Sequence, residues 1–588
     1  MVDRIIAQIR EDVGLDLFVF KEIGKKVTAR APRSFYCECA GKSYLLVFAE
    51  DECQDFYLRR AIEKQEAFAQ VGIHANLNRP VFFDMANHTH QFSHALYNYY
   101  PSLSSCDNDS PVVLLEKYYE CNAQKFVVTN DLVEGIKEEL LSAWPSDWHH
   151  AITILSEFED YFKLLRSFET IRLAFEHGDF TSNNILASKD GLYLMDFEFA
   201  RNLQPVGFDI YDYASSLNKC SLYTDRTYYP ALHAAKHKMI NRINEIVDSG
   251  QKNLIVCSSV TTELEKKWSE LYQKGGAYNL SPTWCRQWMG KYGSGKTPYI
   301  VTCWENSRLV LLAAFCVENG NLSPIGAGPD LYDQFGVLYE SEKHLVYLVQ
   351  HLIKCGLNVE VRFLEASSPF ATLLMKQLLR SDIPVASNIL DTKPSAGGNW
   401  KANSKERSDI KRLMNRAKKR ENDELVFEYD VPRSDRYIKE FIQFHVDRWQ
   451  GGPFFDLPHF SNFIEDLYYK SEIVCLSRLY LLKSDTSVAY HLGYIDSGKT
   501  FWSSIPSYNV AYKELSPGKV LLYHLIHEAF EKGFEKFDFG RGTEAYKYWF
   551  SNNDTLLLGI KFPVKTEKRG ALETAAKKCK KIIRRLWP

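Results

Sequence analysis

The chain has 588 residues, a formal net charge of −2 and 45% hydrophobic residues. Because that length exceeds what one hydrophobic core can organise, we expect two to four domains. A charge near zero excludes a global electrostatic attraction to DNA or to an anionic membrane. The 13 cysteines form no CxxC pair, and the amino-terminal stretch lacks the apolar block of a signal peptide. We therefore expect a cytoplasmic protein with reduced thiols.

The amino-terminal part begins with a predicted β-hairpin and continues largely as helices. The runs "SFYCEC" and "SYLLVFAED" flank the turn "AGK", a pattern that predicts two paired strands. A helix is predicted over "YLRRAIEKQEAFAQVG", and the apolar run "PVVLLEKYYE" predicts a further buried strand. The runs "NIL" and "LYLMDF" then predict a second hairpin that turns at Gly191.

The stretch "HGDFTSNNILASKDGLYLMDFEFA" (residues 177–200) concentrates side-chain oxygens around two apolar runs. Asp179 lies on a predicted turn, Asn184 follows five residues later, and Asp196 ends a predicted strand. The hairpin brings Asn184 and Asp196 together. Phosphoryl transfer needs a carboxylate near the attacking hydroxyl and oxygen ligands for Mg²⁺ on the nucleotide phosphates. The stretch therefore predicts a phosphoryl-transfer site, with a chance Asp-rich turn as the alternative.

This H-x-D-x-x-x-x-N … D pattern resembles the catalytic core of aminoglycoside phosphotransferases and choline kinases, which have a bilobal, protein-kinase-like fold. The resemblance implies that the domain uses ATP and Mg²⁺, that Asp179 is the catalytic base, and that Asn184 and Asp196 bind the metal. It also implies supporting roles for four further residues. These are His177 in the loop, Glu198 as an acidic residue behind the metal ligands, Asp209 as a helix cap, and Glu116 beside the adenine on a hinge strand.

The lysine that this family places on an N-lobe strand is missing from the expected position. In "YLLVFAED" the position is held by Val47, and no Lys occurs between residues 43 and 55. Lys42 has the opposite strand parity, so its side chain should leave the other face. Arg59 or Arg60 on the next helix is the predicted substitute, although a guanidinium there has a different geometry. An active kinase and a nucleotide-binding pseudokinase both remain possible readings.

Two polar stretches divide the rest of the chain. "VDSGQKN" is a predicted domain boundary, and "DTKPSAGGNW" (residues 391–400) is a predicted linker or flexible loop. The predicted domains are a kinase-like domain (1–250), a first α/β half (251–395), a second α/β half (396–565) and a basic tail (566–588).

The second half contains two predicted strands across "DSG", the loop "KELSPGK", a leucine-rich helix and the strand "KFDFGRG". A helix that starts after a glycine-bearing loop offers free backbone N–H groups to an anion.

This order of strand, "SPG" loop, helix and D-x-G-R-G-x-E-x-Y-K motif resembles the acyltransferases of the FemAB and CelD type, which contain tandem GNAT (acyl-CoA N-acyltransferase) folds. The resulting fold class is α/β and α+β multidomain. The resemblance implies that the pyrophosphate of acyl-CoA, expected to be acetyl-CoA, lies at Pro517, Gly518 and Lys519. It also implies that Arg541, Glu544, Tyr546 and Lys547 line the acceptor or reaction cleft. Because acyl transfer needs a group that deprotonates the acceptor and a group that stabilises the developing negative charge, Glu544 is the candidate base and Lys547 the candidate for charge stabilisation. His491 is either a second candidate base or a packed, hydrogen-bonded residue. Aminoacyl-tRNA remains open as the donor, because some relatives use it.

Two basic segments suggest anionic surroundings. "KANSKERSDIKRLMNRAKKREN" places Ile410, Leu413, Met414 and Ala417 on one helical face. Its basic side is either a solvated face or a site for an anionic acceptor. The tail "GALETAAKKCKKIIRRLWP" predicts an amphipathic helix that docks reversibly on anionic lipid, with packing on the body or a frayed end as alternatives.

The sequence thus predicts a bifunctional enzyme, with an ATP- and Mg²⁺-dependent small-molecule kinase domain and an acyl-CoA-dependent N- or O-acyltransferase domain. The expected acceptor is a sugar or amino sugar, free or linked to a nucleotide or lipid, in surface polysaccharide or lipopolysaccharide biosynthesis. We expect no DNA partner, and a cytoplasmic location with peripheral contact to the inner membrane face. The alternatives are a pseudokinase that regulates or scaffolds the acyltransferase, and an antibiotic-modifying enzyme of the aminoglycoside type.

Overall fold

The chain is divided by its internal contacts into two compact units, Met1–Lys252 and Asn253–Pro588. The computed structural model describes residues 2–23, 33–69, 76–77, 80–84, 94–98, 104–105, 110–178, 184–188, 191–194, 200–217, 229–248, 253–327, 331–381, 383–398, 400–449 and 458–563. Among these residues, no helix combines the length and apolar character needed to cross a membrane. The basic tail (566–588) lies outside the described residues.

The first unit mixes helices with short strands. Its described helices are α1 (Val2–Val13), α2 (Glu52–Ala69), α3 (Ser110–Asn122), α4 (Asn130–Leu141), α5 (His149–Thr153), α6 (Ser156–Arg166), α7 (Phe208–Ser216) and α8 (Pro230–Asp248). Its described strands are β1 (Phe18–Ile23), β2 (Arg33–Cys39), β3 (Lys42–Phe48), β4 (Asn76–Leu77), β5 (Pro80–Asp84), β6 (His94–Asn98), β7 (Ser104–Ser105), β8 (Gln124–Val127), β9 (Thr170–Glu176), β10 (Ile185–Ser188), β11 (Gly191–Leu194) and β12 (Arg201–Pro205).

The predicted amino-terminal hairpin is confirmed and forms the middle of a sheet with the order β1-β2-β3-β6-β5. Its turn consists of Ala40 and Gly41, which both have positive φ, as a two-residue hairpin turn requires. Val47 lies in β3, buried between Ser34 on β2 and Ala95 on β6. The strand position where a lysine is expected therefore holds a packed valine.

The predicted hinge strand over "PVVLLEKYYE" is wrong, because this segment is helix α3. Its fully buried residues are Val112, Leu115, Tyr118 and Tyr119, a spacing that places them on one face of a helix. An apolar run of this length is ambiguous between a buried strand and a buried helix, and only packing decides it. Glu116 consequently lies on a helix, and the strand on which its adenine contact depended is absent from this segment.

The second predicted hairpin is confirmed by β10 and β11, which pair antiparallel from Ile185 with Leu194 to Ser188 with Gly191. A separate sheet with the order β12-β9-β8 carries the segment that leads into residues 177–178. Asn184 immediately precedes β10. Asp179, Asp196 and Glu198 lie outside the described residues, so their predicted roles remain predictions.

The second unit is built on one large sheet. Its described helices are α9 (Thr262–Tyr272), α10 (Pro282–Tyr292), α11 (Glu342–Lys354), α12 (Pro369–Arg380), α13 (Ser404–Glu421), α14 (Asp435–Trp449), α15 (Phe460–Lys470) and α16 (Pro517–Glu531). Its described strands are β13 (Leu254–Cys257), β14 (Thr297–Glu305), β15 (Arg308–Glu318), β16 (Asn321–Pro324), β17 (Leu338–Tyr339), β18 (Asn358–Glu365), β19 (Ala386–Gly397), β20 (Leu425–Glu428), β21 (Val474–Leu481), β22 (Thr486–Ile495), β23 (Thr500–Tyr508), β24 (Lys536–Asp538) and β25 (Asn553–Phe562).

The sheet has the order β13-β14-β15-β16-β18-β25-β19-β24-β23-β22-β21-β20, and β17 pairs with β15. The two predicted halves share it, because β25 from the end of the chain lies between β18 and β19. The predicted linker at residues 391–400 is wrong over most of its length, since β19 pairs with β25 on one side and β24 on the other. The predicted boundary between residues 395 and 396 falls inside this strand. Pairing on both sides overrides the Pro, Ser and Gly signals that suggested a loop.

Candidate functional site

In the first unit, Asp209 holds the backbone that leads into the predicted phosphoryl-transfer loop. The backbone N–H of His177 donates to Asp209 Oδ2 at 2.6 Å, and that of Gly178 donates to Oδ1 at 2.8 Å. Asp209 is buried in the first turn of α7, which begins after Gly207 in a left-handed conformation. Because one carboxylate accepts both N–H groups, the chain just ahead of Asp179 is fixed to the start of α7.

Glu176 supports this arrangement, and the sequence analysis missed it. Its Oε2 accepts the N–H of Asp209 at 2.9 Å and the hydroxyl of Tyr119 at 2.9 Å, while Oε1 accepts the N–H of Gly207 at 3.0 Å. Burial, and then the charge of Asp209, raise the pKa of Glu176 well above its ordinary value. Burial also lowers the pKa of nearby Lys236 to about 7. The available signal was an acid at the end of an otherwise apolar strand, directly before the "HGD" run.

The two arginines considered as substitutes for the missing strand lysine, Arg59 and Arg60, both lie on helix α2. Arg59 on α2 pairs with Asp55 of the same helix at 2.8 Å. The neighbouring Arg60 is the buried arginine, and its Nη2 donates to the carbonyl oxygen of Ala200 at 3.0 Å. The substitution of the missing strand lysine by Arg59 therefore remains a prediction, and Arg60 is occupied by a backbone contact.

In the second unit, the pairing between β23 and β24 ends ahead of Ser516. β23 pairs in parallel with β24 only from Thr500 to Trp502, yet it continues alongside β22 as far as Tyr508. After β24 the chain turns toward β19, where the N–H of Phe539 donates to the carbonyl oxygen of Pro394 at 3.0 Å. The result is an opening between β23 and the segment that follows β24.

The start of α16 lies at the end of β23, after a turn of 3₁₀ helix from Val510 to Leu515. Ser516 has φ +50°, and Pro517 is the first residue of the helix and contributes no N–H. Gly518 supplies the first free N–H group, and a Cβ atom there would meet nothing within 4 Å. The surface in front of Gly518 is therefore open, which fits the predicted position for a diphosphate.

The side chain of Lys519 contacts residues beside the start of α16. Its Nζ donates to Asp409 Oδ2 on α13 at 2.7 Å and lies 4.4 Å from the ring centroid of Trp549. The hydrogen bond from Lys519, together with one from Arg412, lowers the pKa of Asp409 to about 2. Three segments that are far apart in the sequence thus meet beside the predicted donor site.

The "GRGTEAYK" run places its charged residues together. Glu544 pairs with Lys547 at 2.9 Å, and buried Lys547 also donates to the carbonyl oxygen of Arg541. Gly542 has φ +103°, and a Cβ atom there would lie 2.5 Å from a Glu544 carboxylate oxygen, so this turn requires glycine. Burial, and then the charge of Glu544, raise the pKa of Tyr546 to about 12, so Tyr546 is protonated at neutral pH. The four predicted residues lie within one seven-residue segment that follows β24, and we call this segment the Glu544–Lys547 wall.

The sequence analysis missed a residue that the first half contributes to this wall. Asp333 Oδ1 accepts the backbone N–H of Arg541 at 3.2 Å and its Nε at 3.3 Å. The Arg541 guanidinium carbon also lies 3.9 Å from the ring centroid of Phe363. No local pattern marks Asp333, because its partner is about 200 residues further along the chain. The candidate site is therefore built from both halves of the second unit.

A buried ion pair stabilises the start of the "GRGTEAYK" run. Lys393 Nζ lies 2.5 Å from Asp538 Oδ2, and both side chains are 0% exposed. Asp538 Oδ1 accepts the N–H of Gly540 at 3.0 Å, and Lys393 also donates to Gln334 Oε1. Burial lowers the pKa of Lys393, whereas Lys393 and Lys536 outweigh burial and hold the pKa of Asp538 below its ordinary value. Lys393 was missed because its segment was read as a linker.

Two further predictions concern packing. His491 is buried, its Nε2 lies 2.9 Å from Ser503 Oγ, and burial lowers its pKa to about 3. It is therefore a packed, hydrogen-bonded residue and a poor base at neutral pH. The apolar face of α13 is confirmed, with Ile410, Leu413 and Ala417 buried and a capping box at its start.

Comparisons with known proteins agree with this description of the second unit. Residues 404–548 match the family model described as an acetyltransferase (GNAT) domain. No curated protein matches the sequence. The structure is similar to that of L-PGS from Bacillus licheniformis, with 12% identity over 53% of this chain and 94% of that chain and a TM-score of 0.37. It is also similar to FemX, with 10% identity over 53% of this chain and 97% of that chain and a TM-score of 0.38.

The amino-terminal part is similar to choline kinase LicA from Streptococcus pneumoniae, with 13% identity over 42% of this chain and 92% of that chain and a TM-score of 0.27. The predicted multidomain architecture of helices and strands is confirmed. The chain carries a GNAT-type acyltransferase domain at residues 404–548 and is a transferase of that type.

Proposed function

We propose that the chain joins an ATP- and Mg²⁺-dependent small-molecule kinase domain to an acyl-CoA-dependent N- or O-acyltransferase domain. The single observation that carries the acyltransferase half is the opening between β23 and the segment after β24, with the Glu544–Lys547 wall beside it. The opening leads to the free N–H of Gly518, where a diphosphate fits. The donor supplies an acyl group activated as a thioester.

The residues of the wall supply the proton transfers. Glu544 is exposed enough to reach an entering acceptor and accepts the proton that the acceptor amine or hydroxyl loses. Tyr546 keeps its proton at neutral pH and donates a hydrogen bond to the leaving thiolate sulfur, which takes its proton from solvent. Lys547, which pairs with Glu544 at 2.9 Å, and Arg541, held by Asp333, place two cations where negative charge develops. The new bond joins the acyl carbon to the acceptor, and the carbon–sulfur bond breaks.

The kinase half is supported by the two hydrogen bonds from the N–H groups of His177 and Gly178 to Asp209, which hold the backbone ahead of Asp179. In this proposal Asp179 takes the proton from the acceptor hydroxyl, and Asn184 and Asp196 would hold Mg²⁺ on the nucleotide phosphates. Asn184 immediately precedes β10, and its partner strand β11 ends two residues before Asp196 in the sequence. Oxygen ligands of this kind are the ones that Mg²⁺ prefers.

The proposed acceptor is a sugar or amino sugar, free or linked to a nucleotide or lipid, that is built into surface polysaccharide or lipopolysaccharide. Both proposed chemistries, phosphorylation of a hydroxyl and acylation of an amine or hydroxyl, can act on one such molecule. The basic tail would bring the enzyme to the inner membrane face if the acceptor is lipid-linked.

A second candidate function is supported by one observation. Val47 is buried in β3 where a kinase of this type would carry a lysine, and Lys42 is exposed at the strand start. An amino-terminal unit that binds nucleotide without transferring phosphate would then regulate the acyltransferase.

The test uses the full chain, a panel of amino sugars and nucleotide sugars, and two labels. Transfer of label from γ-labelled ATP should occur and be lost in Asp179→Ala, whereas transfer from labelled acetyl-CoA should persist. Glu544→Gln should show the reverse pattern. Mg-ATP binding without phosphate transfer, together with acyl transfer that changes when ATP is added, would favour the regulatory function. If no acceptor in the panel takes up acyl label from acetyl-CoA, the acyltransferase assignment to acyl-CoA is contradicted.

A further inference from the structure

The solvent side of α13 forms an open basic groove. Its volume is about 650 Å³, and its lining cations are Lys411, Arg412, Arg416, Lys419 and Arg420. These residues are separated by one, three or four positions, so they follow one side of the helix over about three turns. The buried face of the same helix packs through Ile410, Leu413 and Ala417. The groove is therefore a surface that the helix presents outward.

The groove is tied at two points to the segment that begins α16. Arg412 Nη2 donates to Asp409 Oδ1 at 2.7 Å, and the other oxygen of Asp409 accepts from Lys519. Arg416 Nη2 lies 3.4 Å from Glu514 Oε2, which is in the 3₁₀ turn just before Ser516. The amino-terminal turns of α13 thus lie beside the place where the proposed donor's diphosphate would bind.

Two cations of the groove are not paired with a described carboxylate. Lys411 and Lys419 make no ion pair with any residue that the structure describes. Arg412 and Arg416, by contrast, each face a carboxylate. Lys411 lines the same groove as Arg412, whose partner Asp409 contacts Lys519, so its uncompensated charge is complementary to a further phosphate group of a ligand at the diphosphate site.

An exposed tryptophan lies next to the same site. Trp549 is 49% exposed, although tryptophan is usually well buried, and it contacts Lys519 through its ring. Nucleobases stack on exposed aromatic side chains, and a neighbouring cation strengthens such a site. One exposed indole fits one base.

We propose that Trp549 stacks on the adenine of the acyl-CoA donor and that Lys411 binds its 3′-phosphate. This inference rests on the proposed acyltransferase function and assigns the part of the donor farthest from the reacting thioester. The nucleotide end of the donor then adds affinity without touching the acyl group. The residues of the Glu544–Lys547 wall carry out the acyl transfer, and the surface formed by α13 and Trp549 binds the nucleotide end of CoA.

The test measures equilibrium binding of CoA, dephospho-CoA and pantetheine to the full chain by calorimetry. Mg-ATP is present at saturation so that the amino-terminal unit cannot report adenine binding. Trp549→Ala should weaken CoA binding about 10- to 100-fold, and Trp549→Phe should weaken it less, because phenylalanine still stacks. Tyr347→Ala is the matched control, because Tyr347 is a 46% exposed aromatic on α11, and CoA binding should be unchanged. Melting temperatures establish that each variant is folded.

Lys411→Met tests the phosphate contact separately. It should weaken binding of CoA by up to about 5-fold, as expected for an exposed charge contact, and should leave dephospho-CoA binding unchanged. The same loss for both ligands would overturn the assignment of Lys411. Equal CoA affinity in Trp549→Ala and wild type would overturn the assignment of the adenine site.

The outcomes separate this inference from the proposed function. If wild-type protein binds neither CoA nor pantetheine, the proposed acyl-CoA donor itself is contradicted. If CoA binds and the Trp549 and Lys411 variants bind it normally, only the nucleotide assignment fails. If the same variants instead lose binding of transfer RNA while CoA binding is intact, the surface belongs to an RNA and the proposal is overturned.

Discussion

The buried Lys393–Asp538 pair provides the sharpest test of how the candidate site is held. In Lys393→Met the ammonium disappears, and the Asp538 carboxylate stays inside the sheet with only Lys536, 3.2 Å away, as a cationic partner. Removing one member of a fully buried pair typically costs about 3 to 5 kcal/mol, because the remaining charge is left uncompensated. Lys536→Met is the matched control. Lys536 is 34% exposed, so its loss should cost less than about 1 kcal/mol.

The measurement is hydrogen exchange followed by mass spectrometry on peptides that cover β19 and β24. Local exchange is preferred because a chain with two compact units need not unfold in one step. A loss of about 3 to 5 kcal/mol corresponds to exchange that is faster by two to three orders of magnitude in these peptides. The double variant Lys393→Met/Asp538→Asn should recover part of the loss, since no buried charge remains.

Lys393→Met should also reduce acyl transfer, because its partner Asp538 accepts the N–H of Gly540 at the start of the "GRGTEAYK" run. If Lys393→Met and Lys536→Met accelerate exchange equally, the energetic distinction between the buried and the exposed cation is wrong. If Lys393→Met/Asp538→Asn exchanges faster than Lys393→Met, the pair stabilises the sheet through more than charge compensation.

Three further predictions concern single carboxylates. Burial raises the pKa of Asp496 to about 6, so the folded state binds this proton more tightly than the unfolded state. Wild-type stability should therefore fall by up to about 3 kcal/mol as pH rises from about 4 to about 6, and melting curves of Asp496→Asn should lack this fall. Asp209→Ala removes the acceptor of two backbone N–H groups, including that of His177. ATP-dependent labelling should be lost while acetyl-CoA turnover persists; loss of both would indicate global unfolding instead. Asp333→Asn weakens a charge-assisted contact to Arg541, and kcat for acyl transfer should fall about 10-fold with the CoA Kd unchanged. An unchanged kcat would remove Asp333 from the site.

The sequence by itself determined the local elements and the order of the motifs. The hairpin around Ala40 and Gly41 follows from turn residues between alternating strands, and the apolar face of α13 follows from its periodic spacing. The "SPG" loop and the D-x-G-R-G-x-E-x-Y-K run lie in the domain that matches a GNAT family. These features depend on neighbours a few residues apart, which the sequence displays directly.

The tertiary structure alone decided how those elements are used. The apolar run of α3 suits a strand or a helix equally, and packing selected the helix. β19 looked like a linker because Pro, Ser and Gly disfavour strands, yet two partner strands from the end of the chain pair with it. Asp333 reaches Arg541, and Lys393 reaches Asp538, across more than a hundred residues of sequence. Such contacts depend on which strands become neighbours in the sheet, and no local pattern of side chains records that choice.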